Sequence, residues 1–500
     1  MILYNILIFT FGFWNIFKKN KSLSPLLGFS FMVAFAFWVF TTLGSVDRID
    51  TKVFEGLYVL FGLSILGFIL ISLSKNKIAQ VGAVVLASVG LNLYVSNPHT
   101  TLHPSIEMDQ EAELIVQIDN DDPASTIAEL KELTFIKYIS PFLEPKDFDK
   151  TELDDFYKID IKEGYDINRA VSEISQQNGV EWIEPNEILR LEPVESVQKT
   201  QRSNFSASVT DPLADSQWNM AALNMQDYYP LFEKSKFRPV RTAKLFILDS
   251  GVNPNHEDIG SNFLRHKSND VSGNESDGNG HGTHCAGVAS AISNNGIGVA
   301  SMSPGNEWIT VSSVKVMNNF GFGTQASIIE GIIEAVDAGA DVISMSLGGR
   351  STQIKEEAYD EALKYAEDHN VIIIAAAGNN AGDASQIVPA NSKIVITVTA
   401  LDKSLNKAQF SNYITNTNYG IAAPGTSIPS TWKGGKYATF DGTSMAAPHV
   451  SGLVAVMRSL KPSLTTKQAF EILDQTGTKT KANHLTGRMI NPTKAIIATR

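Results

Sequence analysis

Cysteine is almost absent from this sequence, because Cys285 is the only one among 500 residues. A single thiol excludes an intramolecular disulfide and a zinc site built from several cysteines. Basic residues are in the minority, with 41 Lys and Arg against 53 Asp and Glu and a formal net charge of −12. Phosphate binding needs clustered Lys and Arg, so this charge argues against a nucleic-acid partner. A chain of this length has room for two or three domains.

Charged residues are almost missing from four apolar runs near the N-terminus, at about 1–17, 23–43, 53–73 and 78–95; the exception is Glu55, near one end of the third run. The second and third have the roughly 20 residues that span a bilayer core, and the other two approach that length. We therefore predict a transmembrane helical module of about four spans over residues 1–97. Buried helices of a soluble domain are the alternative. No charged pair lies at the centre of a run, so an anchor is favoured over a transporter.

The loops between these runs predict the orientation. Lysines lie between the first and second runs and between the third and fourth: Lys18, Lys19, Lys21, Lys75 and Lys77. Because positively charged loops stay in the cytoplasm, everything after Val95 is expected outside. The predicted localisation is therefore a multi-pass membrane protein with an extracytoplasmic C-terminal body.

Alternating strand and helix patterns follow over residues 111–192. We predict strands at 114–118, 156–161 and 187–191, and helices at 123–133 and 166–177. The order β-α-β-β-α-β is the split βαβ, or ferredoxin-like, arrangement. The next stretch, 193–210, is rich in Ser, Gln and Asn and is typical of an exposed linker.

Three later segments carry side chains suited to nucleophilic catalysis. An apolar strand at 244–248 delivers Asp249 to its carboxyl end, where functional groups emerge in α/β sheets. Glycines on both sides of His281 leave its imidazole unobstructed. Ser444 stands where a glycine loop becomes the N-terminus of a small-residue helix, and the free N–H groups there favour negative charge.

Two other histidines have competing interpretations. His281 and His284 are three residues apart and can be read as metal ligands, but no third ligand with a fitting spacing appears. His449 lies inside a helical pattern, which is typical of a packed side chain. A fourth segment, the apolar strand 371–377, leads into an exposed Asn379, whose side-chain amide can donate to an oxyanion.

The order Asp249, His281, Ser444, with Asn379 before the serine, resembles the subtilisin-like (subtilase) serine peptidases. The motifs are most similar in type to those of the thermitase branch of this family, and the resemblance covers residues 211–500. It implies an α/β fold with a mostly parallel sheet and helices on both faces. It also implies that Ser444 is the nucleophile, His281 the general base, Asp249 its orienting carboxylate and Asn379 an oxyanion donor.

The resemblance extends to a substrate groove. The residues that it implies are Ser346, Leu347, Gly348, Gly321, Gly323, Ala376, Ala377 and Gly378. Ile387 falls where many relatives have a small residue, which predicts a shallow apolar first pocket.

A structural Ca²⁺ ion is implied as a cofactor. Its expected ligands are the side chains of Asp211, Asp258 and Asn295 and the carbonyl groups of Ile292, Ile297 and Val299. Carboxylate, amide and carbonyl oxygens are the ligands that Ca²⁺ prefers. An ordinary Asn-Gly turn with surface acids is the alternative. Cys285 matches a buried free thiol of the thermitase branch and is expected to serve packing.

With the family in view, residues 111–192 resemble its propeptide, which acts as a folding aid and inhibitor. The expected partners are therefore protein or peptide substrates, the chain's own propeptide and a lipid membrane. Self-cleavage within 193–210 would release the catalytic domain from its anchor. A catalytically inactive, membrane-anchored binding or sensor module with the same fold is the alternative, and the complete set of four catalytic residues argues against it.

Overall fold

The computed structural model describes only part of the chain after residue 108. The described residues are 109, 112–119, 122–142, 152–191, 194–195, 205, 209–233, 237–265, 276–350 and 356–500. The predicted membrane module of residues 1–97 lies outside them. No helix of the described residues combines the length and the apolar character that crossing a membrane requires.

The first part of the described chain is a small four-stranded antiparallel sheet with two helices. Its elements are β1 (Leu114–Ile118), α1 (Pro123–Glu132), β2 (Ile136–Pro141), β3 (Phe156–Ile161), α2 (Ile167–Ile174) and β4 (Val180–Pro185). The strand order is β2-β3-β1-β4. Asp122 begins α1 by accepting a hydrogen bond from the Ser125 N–H, and proline occupies the first turn.

The predicted final strand of this module is wrong. The fourth strand of the sheet is β4, whereas β5 (Ile188–Arg190) pairs with β9 (Phe322–Thr324) of the following domain. The sequence shows an extended segment at 187–191 but not its pairing partner, which only the tertiary structure brings close. The second strand, β2, was not predicted because its buried positions do not alternate strictly.

The second part is built on a six-stranded parallel sheet of order β15-β14-β12-β10-β7-β8. The strands are β7 (Ala243–Asp249), β8 (Ile309–Lys315), β10 (Val342–Met345), β12 (Ile372–Ala376), β14 (Ile396–Leu401) and β15 (Tyr419–Pro424). They are almost continuously buried, as expected for a parallel sheet covered on both faces.

Helices cover both faces of this sheet, so the predicted fold class is confirmed for this domain. Leu245 and Ile247 of β7 enter one core cluster, and Phe246 and Leu248 enter the other, because successive strand residues point to opposite faces. The helices are α3 (Trp218–Ala222), α4 (Met225–Tyr228), α5 (Pro230–Glu233), α6 (His281–Ser290), α7 (Gln325–Asp337), α8 (Glu356–Asp368), α9 (Thr443–Leu460), α10 (Thr466–Thr476), α11 (Asn483–Thr486) and α12 (Pro492–Ala498).

Two buried helices, α6 and α9, pack against each other in the first of these clusters. A Cβ atom on Gly452 of α9 would lie 2.5 Å from the carbonyl oxygen of Ala289 in α6, so glycine is needed for this close approach. Strand β7 contacts both helices, and the first turn of α9 approaches α6 where Cys285 Sγ lies 3.4 Å from the Ser444 carbonyl oxygen.

Short strands complete the domain. They are β6 (Val194–Glu195), β11 (Gly349–Arg350), β13 (Ile387–Val388), β16 (Ile428–Trp432) and β17 (Lys436–Asp441). The predicted exposed linker at 193–210 is only partly correct. Val194 and Glu195 pair with β17, and Phe205 is completely buried against Tyr229. A single aromatic residue in a polar stretch can still be buried when the next domain offers an apolar surface.

Candidate active site

Asp249 and His281 form a buried hydrogen-bonded pair. Asp249 is the last residue of β7 and His281 is the first of α6. The Nδ1 atom of His281 lies 2.8 Å from both carboxylate oxygens of Asp249, and neither residue is exposed to solvent. Because Nδ1 is engaged with the carboxylate, the other ring nitrogen, Nε2, is available to a reacting group.

Glycines allow this close approach of strand and helix. A Cβ atom on Gly282 would lie 2.0 Å from the carbonyl oxygen of Gly251 and 3.0 Å from the Cβ of Asp249. Gly280 has a φ of +108°, and a Cβ atom there would overlap the ring of Trp432. The glycines around His281 are therefore required by packing as well as by access.

The charge state of His281 depends on two opposing effects. Complete burial is the largest single effect and disfavours the imidazolium, but the Asp249 carboxylate and the Cys285 thiol together outweigh it. The pKa of His281 is consequently raised well above its ordinary value.

Ser444 is the second residue of α9 and is almost buried. Its hydroxyl donates to the Ser346 carbonyl oxygen at 2.9 Å, and the Ser346 hydroxyl donates to the Ser444 carbonyl oxygen at 2.9 Å. The Cys285 sulfur lies 3.4 Å from that same Ser444 carbonyl and 3.9 Å from Nδ1 of His281, so Ser444 and His281 are neighbours.

The serine hydroxyl does not bond to His281 in this structure. Nε2 of His281 is buried and has no hydrogen-bond partner among the described residues. A rotation about χ1 of Ser444 moves its hydroxyl between staggered positions and away from Ser346. Serine–histidine contacts are commonly loose before substrate binds.

Asn379 follows β12 by three residues and is oriented by Thr443, the residue before Ser444. Its Oδ1 atom accepts hydrogen bonds from the Thr443 N–H at 2.9 Å and from the Thr443 hydroxyl at 2.8 Å. The Nδ2 group therefore remains as the donor end of the side chain. Sequence reasoning missed Thr443, although its position beside Ser444 was a usable signal.

The other two histidines of this region are structural. Nε2 of His284 contacts the carbonyl oxygens of Ile428 and Ala438, and burial lowers the pKa of His284 to about 3. His449 bonds to the Asn219 side chain at 2.8 Å, and burial lowers the pKa of His449 to about 4. His284 and His281 bind different partners, which argues against a shared metal.

A cavity of about 400 Å³ lies beside Ser444. Five of the predicted groove residues line it: Ser346, Leu347, Gly348, Ala376 and Gly378. Ala377 does not line it, because successive strand residues alternate sides and Ala377 packs with Ala384 and Ile414 instead. The side chain of Ala377 therefore packs away from the cavity.

Ile387 closes part of this cavity. It is 8% exposed. Its Cγ2 methyl group lies 3.0 Å from the position of a Cβ atom on Gly348, and its Cγ1 methylene group lies 3.3 Å from that of a Cβ atom on Gly378. A branched aliphatic side chain between two glycine positions limits the depth of the pocket and makes its wall apolar.

Residues 187–191, which follow β4, line the same cavity and pair with the neighbouring strand β9. Leu189 is opposite Gly323 in the antiparallel β5–β9 ladder, and the N–H of Leu191 donates to the Gly321 carbonyl at 2.9 Å. The two predicted groove glycines therefore contact this segment through their backbone. Val194 then pairs with Asp441 of β17, three residues before Ser444.

The predicted calcium ligands are clustered in one loop region. Asp258 is fully buried, and its carboxylate oxygens accept from the Asn295 amide at 2.9 Å and the Val299 N–H at 2.8 Å. Burial, reinforced by the nearby Asp211 carboxylate, raises the pKa of Asp258 to about 7. Asp211 accepts from the N–H groups of Asn294 and Asn295 at 2.9 and 3.2 Å, and burial also raises its pKa.

The surrounding backbone fits a cation. Two carboxylates share this buried region, and neither forms an ion pair with Lys or Arg in the described part of the chain. The carbonyl oxygens of Ile292, Ile297 and Val299 accept no hydrogen bond from any described residue. Carbonyl oxygens that accept no hydrogen bond are available as ligands, and together with two buried carboxylates they make an oxygen set suited to Ca²⁺.

A parallel α/β domain with a buried Asp–His pair beside a serine at a helix N-terminus has the layout of a serine hydrolase. A family model described as "Subtilase family" matches residues 241–489. Thermitase from Thermoactinomyces vulgaris is 40% identical over 223 residues, which cover 43% of this chain and 75% of thermitase. A thermostable alkaline protease from Halalkalibacterium halodurans is 30% identical over 362 residues, 71% of this chain and 89% of that protein.

Similarity to a solved structure supports the same fold. The crystal structure of fervidolysin from Fervidobacterium pennivorans, described as a keratinolytic enzyme related to subtilisin, matches with a TM-score of 0.63 and 22% identity. The match covers 80% of this chain and 62% of fervidolysin. The chain therefore belongs to the subtilase family and is a subtilisin-like serine protease.

The pocket geometry predicts that Ile387 limits the size of the side chain accepted at the cleavage position. In Ile387→Gly, kcat/KM for a peptide with Phe at that position should rise about tenfold or more relative to the Ala peptide, as expected for added room in an apolar pocket. Val388→Ala, one residue away on the same short strand, is the control and should keep the wild-type ratio. An unchanged Phe/Ala ratio in Ile387→Gly would show that another residue sets the pocket depth.

Proposed function

We propose that this chain hydrolyses internal peptide bonds through an acyl-enzyme intermediate and is made as a membrane-anchored precursor. The proposed catalytic residues are Ser444 as nucleophile, His281 as general base, Asp249 as orienting carboxylate and Asn379 as oxyanion donor. The observation that carries this proposal is the fully buried 2.8 Å contact between Asp249 and Nδ1 of His281, with Ser444 as a neighbour.

In the first half of the reaction, the Ser444 hydroxyl attacks the scissile carbonyl carbon. Nε2 of His281 accepts the hydroxyl proton, while its Nδ1–H stays hydrogen-bonded to Asp249. The carboxylate stabilises the imidazolium that forms, in accord with the raised pKa of His281. His281 then gives the proton to the leaving amine, and the acyl group remains on Ser444. In the second half, His281 activates a water that hydrolyses this ester.

Negative charge on the carbonyl oxygen needs donors that are already in position. The Nδ2 group of Asn379 is one, since Thr443 holds the opposite end of that side chain. The backbone N–H of Ser444 is the other, because the N–H groups of a first helical turn have no partner within the helix. The 18-residue helix α9 adds the positive end of its dipole at the same place.

Residues 111–192 are proposed to act as an inhibitory propeptide. The ladder between β5 and β9 supports this role, because an added strand is how extended peptides bind to a sheet edge. Leu189 is 6% exposed and contacts Gly349, so the segment also fills part of the groove with a side chain. A protein substrate cannot bind until this segment leaves.

The membrane anchor is proposed from sequence. Residues 1–97 hold four apolar runs, and lysines lie in the first and third of the loops between them, which supports an extracytoplasmic protease domain tied to the bilayer through its propeptide. Cleavage within 193–210 would then detach the protease domain from its anchor.

A structural Ca²⁺ ion is proposed at Asp211, Asp258 and Asn295, with the carbonyl groups of Ile292, Ile297 and Val299. When bound, the ion would supply positive charge to two buried carboxylates and order the 292–299 loop. Its role would be stability rather than chemistry.

Labelling with a fluorophosphonate probe tests the nucleophile. After incubation that allows self-processing, the wild-type chain should be labelled and Ser444→Ala should not be. Ser451→Ala removes another buried hydroxyl of α9 and should retain labelling. Wild-type protein that is folded but unlabelled would favour a catalytically inactive binding module.

Mapping the N-termini of membrane and soluble species tests the tether and the processing. The wild-type chain should yield a soluble active species that begins within 193–210, whereas Ser444→Ala should remain full-length in the membrane fraction. An active wild-type species that begins upstream of Pro193 would contradict release of the catalytic domain. Full-length Ser444→Ala in the soluble fraction would contradict the anchor.

Removal of calcium tests the metal site through stability. Chelation with EDTA should lower the unfolding midpoint of the wild-type chain, since a ligand at 100 times its Kd stabilises by about 2.7 kcal/mol. Asp258→Asn should abolish this EDTA effect. Asp402→Asn, which also removes a carboxylate that accepts backbone N–H groups, should preserve it. An equal EDTA shift in Asp258→Asn and in the wild type would rule out this site.

A further inference from the structure

The buried carboxylate of Asp277 lies near Asp249 and His281 but takes no part in the proton transfer between Ser444 and His281. Asp277 is 6% exposed and lies four residues before His281. It accepts five hydrogen bonds, from the Ser250 hydroxyl, the N–H groups of Asn279, Gly280 and Thr283, and the Thr283 hydroxyl. The distances are 3.0, 3.1, 2.6, 2.9 and 2.6 Å.

These bonds fix the start of α6. Gly280 precedes His281 and has no side chain with which to cap the helix, so the first N–H groups need another acceptor. Oδ1 of Asp277 accepts from the Gly280 N–H, and Oδ2 accepts from the Thr283 N–H. The Asp277 carboxylate thus binds the backbone on both sides of His281, at Gly280 and at Thr283.

The same carboxylate also holds the end of β7. Ser250 follows Asp249, and its hydroxyl donates to Asp277 at 3.0 Å while accepting from the Gly282 N–H at 3.1 Å. Its backbone N–H donates to Oδ1 of Asp249 at 2.7 Å. The Lys315 ammonium group donates to the Ser250 carbonyl at 2.6 Å. Ser250 is therefore fixed at three points, and one of them orients the Asp249 carboxylate.

Only a carboxylate satisfies this arrangement. Three donors converge on Oδ1 and two on Oδ2, and an ionised carboxylate accepts on both oxygens. An asparagine amide would present its NH₂ group to donors on one side. The negative charge also adds to that of Asp249, and burial raises the pKa of Asp277.

We propose that Asp277 is a positioning residue that fixes the Asp249 carboxylate against the His281 imidazole by binding Ser250 and the first turn of α6 together. The proposal rests on the roles of Asp249, His281 and Ser444 given above. Asp277 touches neither the substrate nor the reacting atoms. It acts through strand β7 and helix α6, because the separation of these two elements determines the distance between Asp249 and His281.

The groups that titrate around the pair belong to several elements. They are Asp249 on β7, Lys315 on β8, His284 and Cys285 on α6, His449 on α9 and Asp277 itself. Loss of the Asp277 charge removes a negative group near Asp249 and His281. A looser Asp249–His281 contact disfavours the imidazolium as well, so both effects lower the pKa of His281. Since the base must be neutral to accept a proton, the acid limb of activity moves to lower pH.

Steady-state kinetics of the full-length, self-processed chain test this proposal. Asp277→Asn should lower kcat about 10- to 100-fold with KM changed less than about twofold, as expected for a misplaced catalytic group. The acid limb of its kcat/KM profile should shift to lower pH. Asp474→Asn, which removes a partly exposed carboxylate that pairs with Arg488, is the control and should match the wild type.

A second variant covers the case in which Asp277→Asn fails to fold. Ser250→Ala keeps the Asp277 carboxylate and removes only the hydroxyl bridge between β7 and α6. Its unfolding midpoint should stay close to that of the wild type, while kcat falls and the acid limb shifts in the same direction.

Failure of the proposed peptidase function and failure of the proposed role of Asp277 give different results. If the wild-type chain does not hydrolyse peptides, the proposed function fails. If the wild type is active but the variants that fold keep its kcat and its acid limb, the function stands and the positioning role of Asp277 is overturned. Lower activity that appears only in KM or in the unfolding midpoint, without a pH shift, also overturns it.

Discussion

The contact between the Asp249 carboxylate and the His281 imidazole is the constraint on which the rest of the site depends. Both groups are completely buried, so neither has water as an alternative hydrogen-bond partner. An uncompensated buried carboxylate is costly, which means that the contact must be maintained by its surroundings. Strand β7 supplies one partner and helix α6 the other, and glycines at 251 and 282 let their backbones meet. The catalytic geometry is therefore a consequence of how two core elements pack.

The substrate side of the molecule follows from the same packing. Helix α9 lies against α6, so its first turn places Ser444 near His281, and Thr443 in that turn orients Asn379. The adjoining groove is bordered by β9 and ends at a pocket that Ile387 makes shallow. The segment at 188–191 already pairs with β9, so the groove accepts an extended backbone in the described structure. Catalytic centre and groove thus share a single scaffold.

Local patterns predict Asp249 at the end of a strand and Ser444 at the start of a helix, whereas the parallel α/β domain is expected from the resemblance to the subtilases. These patterns are short-range, because an apolar strand, a glycine turn and a helix start are encoded by adjacent residues. Contacts between distant segments were not predictable. The Ser250–Asp277 bond joins residues 27 positions apart, and the Thr443–Asn379 bond joins residues 64 positions apart. The departure of β5 from its own sheet and the burial of Phe205 also depend on surfaces that only the folded domain provides.

The Asp249–His281 contact is tested most directly by ¹H–¹⁵N NMR of the histidine side chains in full-length Ser444→Ala, which cannot digest itself. We expect Nδ1 of His281 to carry a proton in both the neutral and the charged ring, and this proton should give a strongly downfield, slowly exchanging resonance. The resonance should disappear in the Asp249→Asn, Ser444→Ala double variant and shift upfield when Asp277 is replaced by Asn. A neutral His281 ring that carries its proton on Nε2, or a ring that shows no protected Nδ1 proton at any pH, would contradict a hydrogen bond from Nδ1 to Asp249.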